Sequence, residues 1–323
     1  MKRLIYIFLF FILFKIGHIQ AQNPIRNYTV NYGYLNIKGQ QLVVLRKFHQ
    51  AGKTKYFAVN VNSLQTLLVD SMAVFVKATT WAQLGNVFSK TPYFKAIAKA
   101  NAQSFSLQDA GLIHGFPKEQ GITLTIDLCP SHKPLDRSIF SSLISAYAKI
   151  EQPVPVALSI SGKFLLTHQN DINWLKQLED SGEIKITWIN HTFTHYYNPK
   201  EPLADNFLLK PGTNISYEVL ALEKALLSNG FMPSVFFRFP GLVSDNVIVQ
   251  MITNFGLIPI GSDAWLAKGQ AANNGSVVLI HGNGNEPLGV QDFIKLLNRN
   301  KNKVLKQQWL MYDLGETVKD EFQ

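Results

Sequence analysis

The sequence predicts an α/β protein built on a parallel sheet covered by helices, and three observations carry that expectation. Seven short apolar runs, at residues 122–127, 154–160, 184–189, 235–239, 257–260, 277–280 and 309–312, have the character of strands buried on both faces. Amphipathic stretches at 136–150, 169–178, 216–229, 245–255 and 290–297 lie between most of them. The chain is 323 residues long, 46% hydrophobic and 16% charged, enough apolar material for one large or two modest cores, so disorder, collagen and a disulfide knot are excluded. Strand alternating with helix implies a sheet that is either open or closed into a barrel of about seven or eight units.

Residues 1–21 read as a secretory signal peptide: Lys2 and Arg3 precede eleven apolar residues from Leu4 to Phe14, and Ala21 offers a cleavage point. The run is shorter than the roughly 20 residues that span a bilayer, so export to the periplasm, cell envelope or exterior is expected, with no stable membrane span after cleavage. Residues 22–118 are mixed. Short β-prone runs at 28–37, 41–48 and 55–61 are punctuated by Gly33, Gly39 and Gly52, and 73–102 has helical character. This is expected to be a small N-terminal accessory α+β region, and nothing in it has catalytic spacing. Residues 119–323 form the α/β part.

Charge adds little. The net charge is +9, and loss of Lys2, Arg3 and Lys15 with the leader leaves +6. The densest basic stretch, 299–306, is expected to be a solvated helix face, and no nucleic-acid partner is implied. A single cysteine cannot form an intramolecular disulfide.

In folds of this class the loops at the C-terminal ends of the strands converge on one mouth. Asp127 ends the first strand, His191 and His195 follow the third, and Arg238 ends the fourth. Asp263 and Trp265 follow the fifth, and His281 ends the sixth. Two histidines four apart can face one ion. With a separate carboxylate and a separate histidine they supply the parts of a metal-assisted hydrolase: a Lewis acid, a base for water and an acid for the leaving group. Other chemistries lack their signatures. There is no His-Glu-x-x-His helix, no Gly-x-Ser-x-Gly elbow and no phosphate-binding loop.

The ordered set Thr125-Ile126-Asp127, His191-Thr192-Phe193-Thr194-His195, Arg238-Phe239-Pro240, Ser262-Asp263-Ala264-Trp265 and Val277-Val278-Leu279-Ile280-His281 resembles the five motifs of the polysaccharide deacetylase family (NodB homology, carbohydrate esterase family 4). The resemblance covers roughly residues 121–315. It implies a distorted, incomplete (β/α) barrel and an enzyme that removes acetyl groups from a polysaccharide or oligosaccharide with a divalent metal, usually zinc. It also implies roles: Asp127 as base, His191 and His195 as metal ligands, Arg238 orienting the base, His281 as acid and Asp263 tuning it. Trp265 and Leu279 would line the acetyl pocket, and Pro240 would contribute to the substrate groove. A carboxylate beside an arginine and a cation is held ionised, and a histidine beside a carboxylate is held protonated, as those roles require.

One position departs from the family pattern. Leu128 stands where a second aspartate would ligate the metal. Asp127 itself, or Asp136 or Asp205 from elsewhere, would have to complete the site. The alternative is a catalytically impaired glycan-binding protein that has lost its metal. Cys129 is expected to be a buried structural thiol rather than a ligand.

Overall fold

The computed structural model describes residues 24–103, 107–117 and 119–322; the expected signal segment lies outside them. The described residues begin with five strands, β1 (Arg26–Ile37), β2 (Gln40–Gln50), β3 (Lys53–Asn60), β4 (Thr66–Asp70) and β5 (Lys77–Ala78). They form an antiparallel sheet in the order β4-β3-β2-β1-β5. Helices α1 (Trp81–Val87) and α2 (Pro92–Ala102) follow. The stretch 73–102, read from sequence as helical, therefore holds a short strand as well as two helices. Thr80 starts α1 with a reciprocal cap to Gln83, and Pro92 starts α2 where its missing N–H costs nothing.

The rest is α/β. In chain order come β6 (Gly121–Leu128), α3 (Ser138–Tyr147), β7 (Val154–Ile160), α4 (Gly162–Thr167), α5 (Gln169–Asp180), β8 (Ile184–Asn190), α6 (Ile215–Ser228), β9 (Pro233–Phe237), α7 (Asn246–Asn254), β10 (Ile258–Pro259), β11 (Ala264–Trp265), β12 (Val277–His281), α8 (Pro287–Leu305), β13 (Leu310–Met311) and α9 (Leu314–Glu321). The strands pair in parallel in the order β10-β9-β8-β7-β6-β12-β11, with β13 beside the start of β6. β10 and β11 end the path without pairing to each other, so the curled sheet is an incompletely closed barrel. Helices α4 and α9 were not legible in the sequence, and α8 runs well beyond the predicted 290–297. Its basic residues Arg299, Lys301 and Lys303 are exposed, as a solvated face requires.

Alternation along each strand divides the core. Leu124, Ile126, Leu128, Leu158 and Ile160 face outward, in one apolar cluster with Phe140 of α3, Leu175 of α5 and Phe293 of α8. Ala157, Val235, Ile258 and Val277 pack in another with Val43, Leu45, Phe57 and Val59 of the N-terminal sheet and Tyr93 and Phe94 of α2. Thr66 bonds the Pro233 carbonyl at the start of β9, and Thr317 of α9 meets Thr123 at the start of β6. The covering elements are thus tied down at the N-terminal ends of the strands. No helix among the described residues is long and apolar enough to cross a membrane.

Glu151, just after α3, makes stability pH-dependent. Burial pushes its carboxyl up to about 7; a bond from the Met311 backbone opposes this and Glu316 adds to it. The native state therefore binds a proton that the unfolded chain has released once pH exceeds the ordinary carboxyl value. The contribution is complete below that value and is lost as pH rises through about 7. Glu151→Gln is expected to leave the melting temperature unchanged near pH 4.5 and to raise it at pH 8. Thermal melts of both proteins across that range check this, and a parallel fall in the two profiles would refute it.

Candidate metal centre and catalytic cleft

Period-two alternation at the end of β6 decides which side chains reach the site. Thr125, Asp127 and Cys129 share the inner face, whereas Leu128 is fully buried in the outer apolar cluster. A ligand at 128 would have to leave that cluster. Cys129 instead places its thiol 3.6 Å from His191 Nε2, and donor atoms of Cys129, His191 and His195 all lie within 4.8 Å of one another. The expectation of a purely structural thiol is corrected: Cys129 lines the cleft. Asp136 and Asp205 do not complete the set. Asp136 bonds Ser138 at the start of α3, and Asp205 lies exposed in a short turn.

His191 follows β8 and is fully buried. Its Nδ1 lies 2.9 Å from the Arg238 carbonyl oxygen, which only accepts, so Nδ1 carries the proton and Nε2 keeps its lone pair. Burial holds its imidazole below the usual range despite the pull of Asp127, which favours the neutral, ligating form. His195 Nε2 is buried with no hydrogen-bond partner. The loop carrying both rings is built from uncommon backbone: Thr192 has φ +68° and His195 has φ +49°. Left-handed conformations are costly for such residues and persist where surrounding contacts impose them.

Asp127 lies between these groups, with Oδ2 3.8 Å from His191 Nε2 and Oδ1 3.8 Å from Arg238 Nη1. Arg238 is fully buried just after β9, and its Nη2 donates to Thr125 Oγ1 over 2.9 Å. Burial lowers the guanidinium from its ordinary value, with Asp127, Asp109 and Cys129 opposing. Asp127 Oδ1 has no hydrogen-bond partner of its own, which leaves it an unused acceptor in the site.

His281 ends β12, in register with Asp127 on the neighbouring strand. Its carboxylate neighbour is Glu286, with Oε2 2.8 Å from His281 Nδ1, an ion-pair distance though the alignment falls short of a hydrogen bond. The same Glu286 oxygen accepts from Trp265 Nε1 over 2.7 Å. Burial works against charge on His281, yet Cys129, Glu286 and Asp127 together hold it well above the usual range. Burial likewise works against the Cys129 thiolate, and His195 and His281 reverse this, bringing the thiol down to about 7.

The structure thus gathers Asp127, His191, His195, Arg238 and His281 at one end of the sheet. Asp263 is not beside His281. It lies 2.6 Å from His114 Nδ1 and accepts from the Val277 amide and Ser276 hydroxyl. Sequence reasoning missed Glu286, whose only signal was a carboxylate five residues beyond a strand-end histidine. Trp265 and Leu279 pack together with Leu242, and Pro240 begins the adjoining turn. Gly241 has φ +62°, and a Cβ there would come within 2.7 Å of the Phe207 ring, so an aromatic from another segment fills the space beside this glycine. A cleft of about 670 Å³ opens over the site, bounded by Cys129, His195, Tyr197, Trp265, His281 and Glu286.

No family model matches the chain. Solved structures do align with it. A family 4 carbohydrate esterase from Bacillus anthracis is 16% identical, with 70% of this chain and 91% of that one covered and a TM-score of 0.47. A Streptomyces lividans family 4 carbohydrate esterase in complex with acetate is also 16% identical, covering 62% and 95%, with a TM-score of 0.42. A family 4 pseudoenzyme from Bacillus anthracis is 11% identical, covering 93% and 91%, with a TM-score of 0.43. The chemistry of the site rests on its own residues.

Those residues fit a divalent ion. One soft sulfur and two imidazole nitrogens converge, one imidazole has its tautomer fixed for ligation, and the other offers a buried nitrogen without a partner. Three protein donors would leave a coordination position open around such an ion.

Proposed function

We propose that this protein is an exported, metal-dependent carbohydrate deacetylase of the polysaccharide deacetylase type, hydrolysing acetyl amide or ester groups on a glycan. The observation that carries the proposal is the juxtaposition, in one cleft, of a three-donor cluster with a carboxylate, Asp127, on one side and the Glu286-paired His281 near it. Cys129, His191 and His195 would hold the ion, zinc by the softness of the set. When bound, it supplies a Lewis acid that stabilises negative charge developing on the acetyl carbonyl oxygen.

The remaining steps belong to side chains. Asp127 accepts the proton of the attacking water, with Arg238 holding the carboxylate and Thr125 holding Arg238. His281 donates its proton to the departing sugar nitrogen or oxygen, and Glu286 stabilises the charged ring before transfer. Trp265, backed by the buried Leu279, offers an apolar wall of the cleft to the acetyl methyl. The glycan-binding alternative required a site stripped of ligands by Leu128. Cys129, one residue further along, supports the enzymatic reading.

Metal stoichiometry on the purified mature protein tests this reading before any substrate is known. One divalent ion per chain is expected, and none in the His191→Ala variant. Failure of the wild-type protein to bind micromolar zinc would sink the deacetylase proposal and direct the next assay to oligosaccharide binding.

A further inference from the structure

We propose that Glu218 is a positioning residue for the metal site, clamping the loop that carries His195. This inference rests on the metal-site reading above. Glu218 lies near the start of α6 and is only 5% exposed. Its two carboxylate oxygens are both spent on one residue: Oε2 accepts the Thr194 amide over 2.8 Å and Oε1 accepts the Thr194 hydroxyl over 2.5 Å. Thr194 immediately precedes His195. A bidentate grip on the amide and side chain of one residue fixes the plane of the backbone from which the next side chain departs.

The next residue of α6 completes the clamp. The Val219 carbonyl accepts from Asn190 Nδ2 over 3.0 Å, and Asn190 Oδ1 accepts the Thr192 amide over 3.1 Å. Two consecutive helix residues thus hold the loop at 192 and 194, around the two left-handed positions, Thr192 and His195. A loop with such dihedrals does not keep its shape unaided.

Charge strengthens the case. Glu223, five residues further along α6, has Arg46 as its partner, whereas Glu218 has no ion pair among the described residues. Burying a carboxylate without a cation is unfavourable, and it is offset here by the first turn of α6, which favours negative charge, and by the two bonds from Thr194. Helix position alone requires no particular partner; the two bonds to Thr194 aim this carboxylate at the ligand loop. Residues that orient ligands from behind usually govern metal affinity without touching the ion.

The test is zinc affinity of the full mature chain, measured by competition with a chromophoric chelator for wild type, Glu218→Ala, Glu218→Gln and His195→Ala. Glu218→Ala is expected to bind zinc about 10–100-fold more weakly. Glu218→Gln keeps an acceptor for the Thr194 amide and is expected to restore most of the affinity. Should Glu218→Ala fold poorly, Thr194→Ala removes the hydroxyl bond alone and is expected to weaken zinc binding to a smaller extent. The cobalt(II) d–d spectrum adds a geometric readout that is expected to shift in Glu218→Ala and return in Glu218→Gln. Wild-type affinity in Glu218→Ala, with zinc lost in His195→Ala, overturns the positioning role and leaves the metal site standing. Weakened binding that follows loss of near-UV circular dichroism and is not rescued by Glu218→Gln also overturns it. A wild-type protein that binds no zinc overturns the metal reading itself.

Discussion

Asp127→Asn is expected to lower acetate release from an acetylated oligosaccharide by about 10²–10⁴-fold, the range for loss of a general base, while leaving the metal in place. The amide has the shape of the carboxylate and still accepts a hydrogen bond, but it cannot take the proton of water. Arg238 keeps its bond to Thr125 and the fold is undisturbed. Measuring turnover and bound metal together gives the variant its force. If the metal departs with the carboxylate, Asp127 is a ligand and the base lies elsewhere, an outcome the 3.8 Å separation from His191 Nε2 makes worth measuring. His281→Ala removes the acid at the other side of the cleft and is expected to fall within the same range. The double variant is expected to lose much less than the product of the two, because both act on one transition state.

What the sequence disclosed and withheld follows the physics of strands. Parallel strands covered on both faces read as continuous apolar runs, which is why 122–127 and 154–160 map closely onto β6 and β7. The loops at strand ends converge in such folds, so the convergence of Asp127, His191, His195, Arg238 and His281 was legible in the sequence. The linear order of a motif does not say which face a side chain takes. Leu128 stands where the motif would have a ligand, and Cys129 reads as a structural thiol, yet alternation turns position 128 to the helices and brings Cys129 into the cleft. Side-chain partners were also hidden. Asp263 was assigned to His281 by resemblance, whereas the chain folds it onto His114 and sends Glu286 to His281. Helices α4 and α9, with 6 and 8 residues, were too short to show a period against their surroundings.

The N-terminal sheet, none of whose residues lines the cleft, carries the other large effect. Arg46 of β2 and Glu223 of α6 are both fully buried and form a two-pronged pair, Nε to Oε2 at 2.8 Å and Nη2 to Oε1 at 2.9 Å. Arg46 Nη1 also donates to the Leu45 and Phe255 carbonyls, and the Tyr28 hydroxyl donates to Glu223 Oε2. Burial alone would lower the guanidinium, and Glu223 reverses that. Removing either partner strands a charge in the joint between the sheet and the barrel. Arg46→Met and Glu223→Met are each expected to cost about 3–5 kcal/mol of stability. The double variant is expected to cost less than either single change, since no charge is left unpaired and the methionines fill the space. Chemical denaturation of the four proteins measures the coupling. Additive losses would mean that the pair is held by its outlying hydrogen bonds to Tyr28 and Phe255 rather than by mutual neutralisation. Because α6 carries Glu223 one and a half turns beyond Glu218, zinc affinity of each single variant also reports whether this joint transmits to the ligand loop: an unchanged affinity in the folded fraction is expected, since the clamp on Thr194 and Asn190 lies wholly within the barrel.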